Sequence, residues 1–165
     1  MSAIDDVLRA NREFAKASPP GEESPRPRRR LVVVACMDAR LSVERALGIE
    51  PGDAHVLRNA GGIVTGDMLR SLVLSHHALG TREVMIVNHT DCGLSNLREE
   101  EFREQLRAAG CSEDLPSSFH AFSDVDENVR DQIRRLRGLR WTAERVTIRG
   151  FVYDVLSHVL REVSL

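Results

Sequence analysis

The sequence lacks a long apolar run, a strong net charge and an even set of cysteines, and each absence excludes a class of protein. No stretch approaches the roughly 18 apolar residues that are needed to span a bilayer. The net charge is −2 at pH 7, so nothing steers the chain toward nucleic acid or anionic membranes. Three cysteines cannot form a fully paired disulfide framework, and the polar segment 1–15 lacks the apolar part of a signal peptide. We therefore expect a cytoplasmic protein with reduced cysteines.

Apolar strands alternate with helices along most of the 165 residues, which is a length typical of one domain. Runs of apolar and β-branched residues predict strands at 31–35, 54–57, 84–87, 146–148 and 151–155, the last two lying on either side of Gly150. Apolar residues at helical spacing predict helices at 64–79, 99–109 and 124–137. This alternation is typical of an α/β fold with a mostly parallel central sheet and helices on both faces.

The first 30 residues differ from the rest of the chain. Apolar residues at helical spacing predict a helix at 5–17, but the apolar stripe is thin, and such a helix needs another surface to pack on. Four prolines and a glycine in segment 18–30 predict a linker without regular structure. We interpret its last residues, the arginines 28–30, as a solvated flank. We therefore divide the chain into an N-terminal helix with a linker, 1–30, and a single α/β domain, 31–165.

Two short motifs follow two of the predicted buried strands. They are residues 36–40 (CMDAR) and residues 89–93 (HTDCG). Cys36, His89 and Cys92 offer two thiolates and one imidazole, which are ligands that Zn²⁺ prefers. Ligands bind beyond the carboxyl ends of the strands in parallel sheets, where both motifs lie. The three residues therefore predict a zinc site, and three protein ligands rather than four leave one position open for chemistry.

Asp38 and Arg40 follow Cys36 at alternate positions, so all three side chains can face one pocket. An arginine grips a carboxylate with two hydrogen bonds, which would keep Asp38 ionised and oriented. Asp38 could then accept a hydrogen bond from a zinc-bound hydroxide, or it could become a fourth zinc ligand. The alternative is that Asp38 and Arg40 form an ion pair with a purely structural role.

Other residues give weaker signals. Asp91 is either a partner of the site residues or simply a turn former. The small-residue loop after the second predicted strand would let the backbone approach a ligand, so Asn59, Gly61 and Gly62 are candidates for a substrate pocket. The same loop could be an ordinary turn. Cys111 follows a glycine that ends a predicted helix, and we interpret it as a free loop thiol.

The motifs C-x-D-x-R and H-x-x-C-G resemble those of the β-class carbonic anhydrases. The resemblance extends over nearly the whole chain and includes segments 58–62 (RNAGG) and 150–155 (GFVYDV). It implies a parallel sheet that is extended by an antiparallel C-terminal edge strand. It also implies a homodimer, which can assemble into a tetramer, with the N-terminal helix packed on the partner subunit.

The resemblance further implies roles for the residues of both motifs. Zinc would be held by Cys36, His89 and Cys92, and Asp38 with Arg40 would form the catalytic dyad. The implied reaction is the reversible hydration of CO₂ to bicarbonate and a proton. One alternative is the hydrolysis of carbonyl sulfide or carbon disulfide on the same fold, and another is a zinc-stabilised regulatory or binding protein without catalysis.

The sequence differs at two places from patterns that occur in the family. Leu156, Ser157 and His158 stand where a Thr-Gly turn is usual, which suggests altered geometry at the edge strand. Family members with a regulatory bicarbonate site carry a tryptophan three residues before the first cysteine ligand, whereas this chain has Val33 there. We therefore expect no such site, and we expect an open form in which Asp38 pairs with an arginine rather than with the metal.

Overall fold

Strands and helices alternate in the computed structural model of the chain, which describes residues 2–18, 24–111, 115–142 and 146–165. The strands are β1 (Leu31–Cys36), β2 (Ala54–Asn59), β3 (Glu83–His89), β4 (Thr147–Tyr153) and β5 (Leu160–Val163). The helices are α1 (Ala3–Ala17), α2 (Val43–Leu47), α3 (Gly66–His77), α4 (Glu99–Ala108) and α5 (Val125–Arg137), with a short 3-10 helix at Ala60–Gly62. Within these ranges, no helix is both long and apolar enough to cross a membrane.

The five strands form one sheet in the order β2-β1-β3-β4-β5. Strand β1 pairs in parallel with β2 and β3, and β3 pairs in parallel with β4, whereas β5 pairs antiparallel with β4 at the edge. The expected mostly parallel sheet with an antiparallel C-terminal edge strand is therefore confirmed. Because β1 and β3 are neighbours, the segments that follow them emerge side by side at one edge of the sheet.

Both faces of the central strands are buried. Val32, Val34 and Ile86 lie on the face that α3 and α5 cover, while Val33 and Val87 pack on the opposite face. The opposite face is covered in part by the segment that contains α2. Burial on both faces explains why these strands read as continuous apolar runs. The short helix α2 was not predicted, because five residues are too few to show helical periodicity.

The prediction of two strands on either side of Gly150 is wrong, since β4 is one continuous strand through that residue. Gly150 lies beneath α5, where an added Cβ would come 2.8 Å from Ile133 Cδ1 and even closer to Val129 Cγ1. The glycine therefore allows close packing of helix on sheet rather than breaking the strand.

We expect the substitution Gly150→Ala to lower the free energy of unfolding by about 1–3 kcal/mol, because the added methyl group overpacks the contact with α5. Gly66→Ala is the matched control, since no atom lies within 4 Å of the Cβ position there. Urea denaturation of both variants measures the difference. Equal stability of the Gly150→Ala variant and the unchanged protein would contradict this packing argument.

The N-terminal helix is exposed along its whole length in the described part of the chain. Helix α1 begins with a capping box between Ser2 and Asp5, and none of its residues is buried. Its apolar residues Val7 and Phe14 are 67% and 69% exposed. The predicted helix is confirmed, and its apolar stripe lacks a partner among the described residues. Part of the predicted linker, residues 19–23, lies outside the described ranges.

The arginines at the end of the linker are exposed, and two of them bind a buried carboxylate. Arg28 Nη2 lies 2.8 Å from Asp53 Oδ1, and Arg29 Nη2 lies 2.9 Å from Asp53 Oδ2. Asp53 is only 6% exposed. Backbone donation from Glu50 and the two guanidinium groups hold the pKa of Asp53 below its usual range. Arg28 and Arg29 are therefore exposed, as the interpretation as a solvated flank expected, but they also bind Asp53 and so anchor the end of the linker to the sheet domain.

The turn between β4 and β5 forms without the glycine that is usual in the family. His158 takes the left-handed conformation with φ of 62°. Its Nδ1 atom lies 2.7 Å from the Tyr153 hydroxyl. The Asp154 carboxylate accepts hydrogen bonds from the backbone N–H groups of Leu156 and Ser157. These side-chain contacts support the left-handed residue, and the hairpin to β5 is present despite the departure.

Candidate metal centre

The three predicted metal ligands meet at the carboxyl edge of the sheet. Cys36 ends β1, His89 ends β3, and Cys92 lies in the turn that follows β3. Their ligand atoms all lie within 4.8 Å of one another, and all three residues are buried. The sheet order produces this cluster, because β1 and β3 are paired although about 50 residues separate the two motifs.

The imidazole of His89 has one nitrogen satisfied and one without a partner. Its Nδ1 lies 2.8 Å from the Thr90 carbonyl oxygen, so Nδ1–H donates and the lone pair lies on Nε2. His89 Nε2 is buried and has no hydrogen-bond partner. A buried polar atom without a partner is costly, and a metal ion on Nε2 would satisfy it. The tautomer and the orphaned nitrogen therefore fit a metal ligand.

The two sulfur atoms receive backbone hydrogen bonds. The N–H groups of Asp38 and Gly61 donate to Cys36, and that of Leu94 donates to Cys92. The hydrogen bond from the Cys92 thiol lowers the pKa of Cys36, against the effect of burial. The pKa of Cys92 is raised because its thiol donates to Cys36 and is buried. The pocket therefore favours a thiolate, which is the form that binds metal.

Asp38 and Arg40 form the expected bidentate pair. Arg40 Nε donates to Asp38 Oδ1 at 3.0 Å, and Arg40 Nη2 donates to Asp38 Oδ2 at 2.8 Å. These hydrogen bonds hold the pKa of Asp38 far below its usual range. Asp38 Oδ2 also lies 3.8 Å from His89 Nε2. An ionised carboxylate is thus held beside the three ligand residues, with both of its oxygens bonded to the arginine.

Asp91 holds the other side of the same arginine. Arg40 Nη1 donates to Asp91 Oδ2 at 2.7 Å, and Arg40 Nη2 donates to the Asp91 carbonyl oxygen at 2.9 Å. Asp91 is also in the left-handed conformation, with φ of 53°. The two interpretations left open for Asp91 are therefore both correct, since it forms the turn and contacts Arg40. Arg40 links the segments that follow β1 and β3.

Arg58, for which the sequence predicted no role, orders the first motif. Arg58 Nε donates to the Cys36 carbonyl oxygen at 2.9 Å, and Arg58 Nη2 donates to the Asp38 carbonyl oxygen at 2.8 Å. Arg58 lies on β2 beside Ala35 of β1. A charged residue near the carboxyl end of a mostly apolar strand was the one available signal for this role.

The loop that follows β2 packs against the metal-ligand residues. Gly61 donates its backbone N–H to the Cys36 sulfur, while its carbonyl oxygen accepts a hydrogen bond from Asn88 Nδ2. An added Cβ on Gly62 would lie 3.0 Å from the Cys36 backbone nitrogen. Asn59 closes the loop through hydrogen bonds with the backbone of Ile63. The small residues permit this close packing, and a substrate-pocket role for Asn59, Gly61 and Gly62 stays a prediction.

Fold and site together define an α/β protein with a buried Cys-His-Cys cluster and an arginine-held carboxylate beside it. The family described as Carbonic anhydrase matches residues 31–159. The chain is 38% identical over 164 residues to beta-carbonic anhydrase 1 of Mycobacterium tuberculosis, with 99% of each chain covered. The chain therefore belongs to the β-class carbonic anhydrase family.

Two further relatives are a carbonic anhydrase of known structure and a carbon disulfide hydrolase. The crystal structure of carbonic anhydrase from Streptococcus mutans superposes with a TM-score of 0.93 at 40% identity, covering 99% of each chain. The carbon disulfide hydrolase of Saccharolobus solfataricus is 36% identical over 157 residues, covering 81% of this chain and 77% of that protein. In sequence, the match to beta-carbonic anhydrase 1 thus covers more of the chain than the match to this carbon disulfide hydrolase. The solved apo form of carbon disulfide hydrolase covers 98% of this chain, with a TM-score of 0.77 at 33% identity.

Proposed function

We propose that the chain is a zinc enzyme that hydrates CO₂ reversibly to bicarbonate and a proton. The observation that carries this proposal is the position of the Asp38 carboxylate, 3.8 Å from His89 Nε2 and held by Arg40. A metal on the three ligand residues would have an ionised acceptor beside its open coordination position. Family membership supports the same reaction.

The residues of the site would divide the work between metal binding and orientation. Cys36, His89 and Cys92 would hold Zn²⁺, which when bound lowers the pKa of a coordinated water toward 7 and so supplies a nucleophile. Asp38 Oδ2 would accept the hydrogen bond of this nucleophile and direct its lone pair at the carbon of CO₂. Arg40 orients Asp38 through two hydrogen bonds.

Stopped-flow CO₂ hydration by the zinc-loaded protein tests the proposal. We expect a rate well above the buffer background that falls when a chelator removes the zinc and returns when zinc is added. The absence of turnover in a protein with one zinc per chain would contradict the proposal. That outcome would favour the alternative of a non-catalytic zinc protein, although such a protein does not need the Asp38–Arg40 pair.

Carbon disulfide or carbonyl sulfide hydrolysis is the second candidate function. It is favoured by the 36% identity to the carbon disulfide hydrolase of Saccharolobus solfataricus. The same nucleophile could attack the carbon atom of CO₂, carbonyl sulfide or carbon disulfide, so the site residues do not separate the two reactions. We favour CO₂ because the carbonic anhydrase of Streptococcus mutans superposes with a TM-score of 0.93 at 40% identity, against 0.77 at 33% identity for a solved carbon disulfide hydrolase. Rates on CO₂, carbonyl sulfide and carbon disulfide, measured with one preparation, decide between them.

We expect the Asn88→Ala variant to release zinc to a chelator about tenfold faster, because the hydrogen-bond partners that hold metal ligands in place change metal affinity by such factors. Asn88 is 1% exposed, and its side-chain amide donates a hydrogen bond to the Gly61 carbonyl oxygen. The backbone N–H of the same Gly61 donates to Cys36. Asn96→Ala, at an exposed position, is the control. Equal zinc release from both variants, with unchanged melting temperatures, would show that Asn88 does not support the ligand residues.

We propose that the chain forms a homodimer in which helix α1 packs on the partner's domain 31–165, while the end of the linker stays bound to Asp53 of its own chain. Helix α1 has no buried residue in the single chain, although its apolar residues lie at helical spacing. We expect Phe14→Ser to shift the protein toward monomer in analytical ultracentrifugation, whereas Glu13→Ser leaves the dimer intact. A dimer of unchanged affinity in the Phe14→Ser variant would contradict this role of α1. Tetramer formation and a cytoplasmic location stay predictions.

A further inference from the structure

The arginines near the end of the linker separate into two groups. Arg28 and Arg29 are bound to the buried carboxylate of Asp53. The side chains of Arg26 and Arg30 have no hydrogen bond or ion pair with any residue in the described part of the chain. The first group therefore has a structural role that the second group does not share.

Arg26 and Arg30 line a cavity of about 370 Å³ together with a third arginine, Arg82. The remaining lining residues are Pro27, Leu79 and Gly80, so no carboxylate faces the cavity among the described residues. Glu83 follows Arg82 in the chain but is not one of the residues that line the cavity. Three arginines thus line one space, and no carboxylate lines it among the described residues. We call this space the arginine pocket.

The backbone holds two of these arginines side by side. The Arg30 carbonyl oxygen accepts hydrogen bonds from the backbone N–H groups of Arg82, at 2.8 Å, and Glu83, at 3.2 Å. Arg30 has a left-handed φ of 52°, and its own N–H donates to the Pro27 carbonyl oxygen at 3.0 Å. A non-glycine residue in this conformation is strained and persists only where its surroundings impose it. Arg82 is also anchored, because its Nη1 donates to the Thr81 carbonyl oxygen at 2.9 Å.

We propose that the arginine pocket binds the phosphate group of a small phosphate monoester. Guanidinium groups bind phosphate through paired hydrogen bonds, and a dianion removes the mutual repulsion of the three arginines. The cavity volume falls in the range of small-molecule pockets, which leaves room for an organic part beside the phosphate. The pocket lies where β1 and β3 begin, at the edge opposite the metal centre, so its ligand is not the substrate of the proposed reaction.

Isothermal titration of the zinc-loaded protein with inorganic phosphate and with glucose 6-phosphate, at constant ionic strength, tests this proposal. We expect one site per chain, with glucose 6-phosphate bound at least as tightly as inorganic phosphate. The variants Arg30→Gln and Arg82→Gln should each weaken binding at least tenfold. Arg26→Gln should weaken it as well, and this exposed side chain has no structural contact whose loss could unfold the protein. Arg107→Gln on α4 is the control of equal charge change and should bind as the unchanged protein does.

Three outcomes would overturn the proposal. The first is the absence of saturable binding, and the second is an equal loss of affinity in the Arg107→Gln variant, which would indicate general charge screening. The third is full binding by the double variant Arg30→Gln/Arg82→Gln, which would place the phosphate elsewhere, for instance at the metal centre. Weaker binding of glucose 6-phosphate than of inorganic phosphate would overturn the assignment to a monoester.

Discussion

Replacing Cys36 with serine is expected to remove bound zinc and to reduce CO₂ hydration to the uncatalysed rate. The Cys36 thiolate accepts hydrogen bonds from two backbone N–H groups and from one thiol in a buried pocket. A serine hydroxyl is neither anionic nor soft, so it cannot replace this thiolate as a metal ligand. Loss of one of three protein ligands leaves only His89 and Cys92 at the site. Metal analysis of the purified variant and stopped-flow hydration measure the two effects.

The chain provides its own control for the loss of a thiol. Cys111 is a free cysteine on the surface, away from the cluster of ligand atoms. The substitution Cys111→Ser should therefore retain one zinc per chain and the full rate. If Cys36→Ser kept both zinc and activity, the assignment of the metal ligands would be wrong, and the proposed reaction would lose its main support.

We expect the substitution Asp38→Asn to lower kcat/KM by about 10²–10³-fold while zinc stays bound, which is the usual effect of removing one preorganised electrostatic partner. The amide has nearly the shape of the carboxylate but lacks its charge, so it cannot orient the nucleophile in the same way. The two hydrogen bonds from Arg40 to the carboxylate would also weaken. Stopped-flow kinetics and metal analysis of the same preparation give both readouts.

Two results would change the role assigned to Asp38. Zinc loss from Asp38→Asn would identify Asp38 as a fourth ligand, and full activity would reduce the Asp38–Arg40 pair to a structural ion pair. Asp67→Asn is the control, because Asp67 is an exposed carboxylate that pairs with Arg70 within α3. It should change neither the rate nor the zinc content.

The residue types and their order along the chain were sufficient to predict the architecture and the ligand set. Continuous apolar runs such as 31–35 predicted strands that are buried on both faces, because such runs occur only where no side faces water. The placement of Cys36, His89 and Cys92 directly after two such strands predicted one shared site. Asp38 and Arg40 were predicted as a pair from their spacing, because residues two apart in an extended segment face the same side.

Contacts between segments far apart in sequence were decided only by the tertiary structure. The hydrogen bonds of Arg58 to the first motif depend on strand pairing and on the path of the turn after β1. Gly150 looked like a strand breaker, and only the approach of α5 shows why a glycine lies within one strand. The arginines 28–30 form one charged run in sequence, yet Asp53 binds two of them and leaves Arg30 at a cavity. Local pattern determined the elements and the ligand types, whereas the partners of charged side chains depended on which distant segments the sheet brought together.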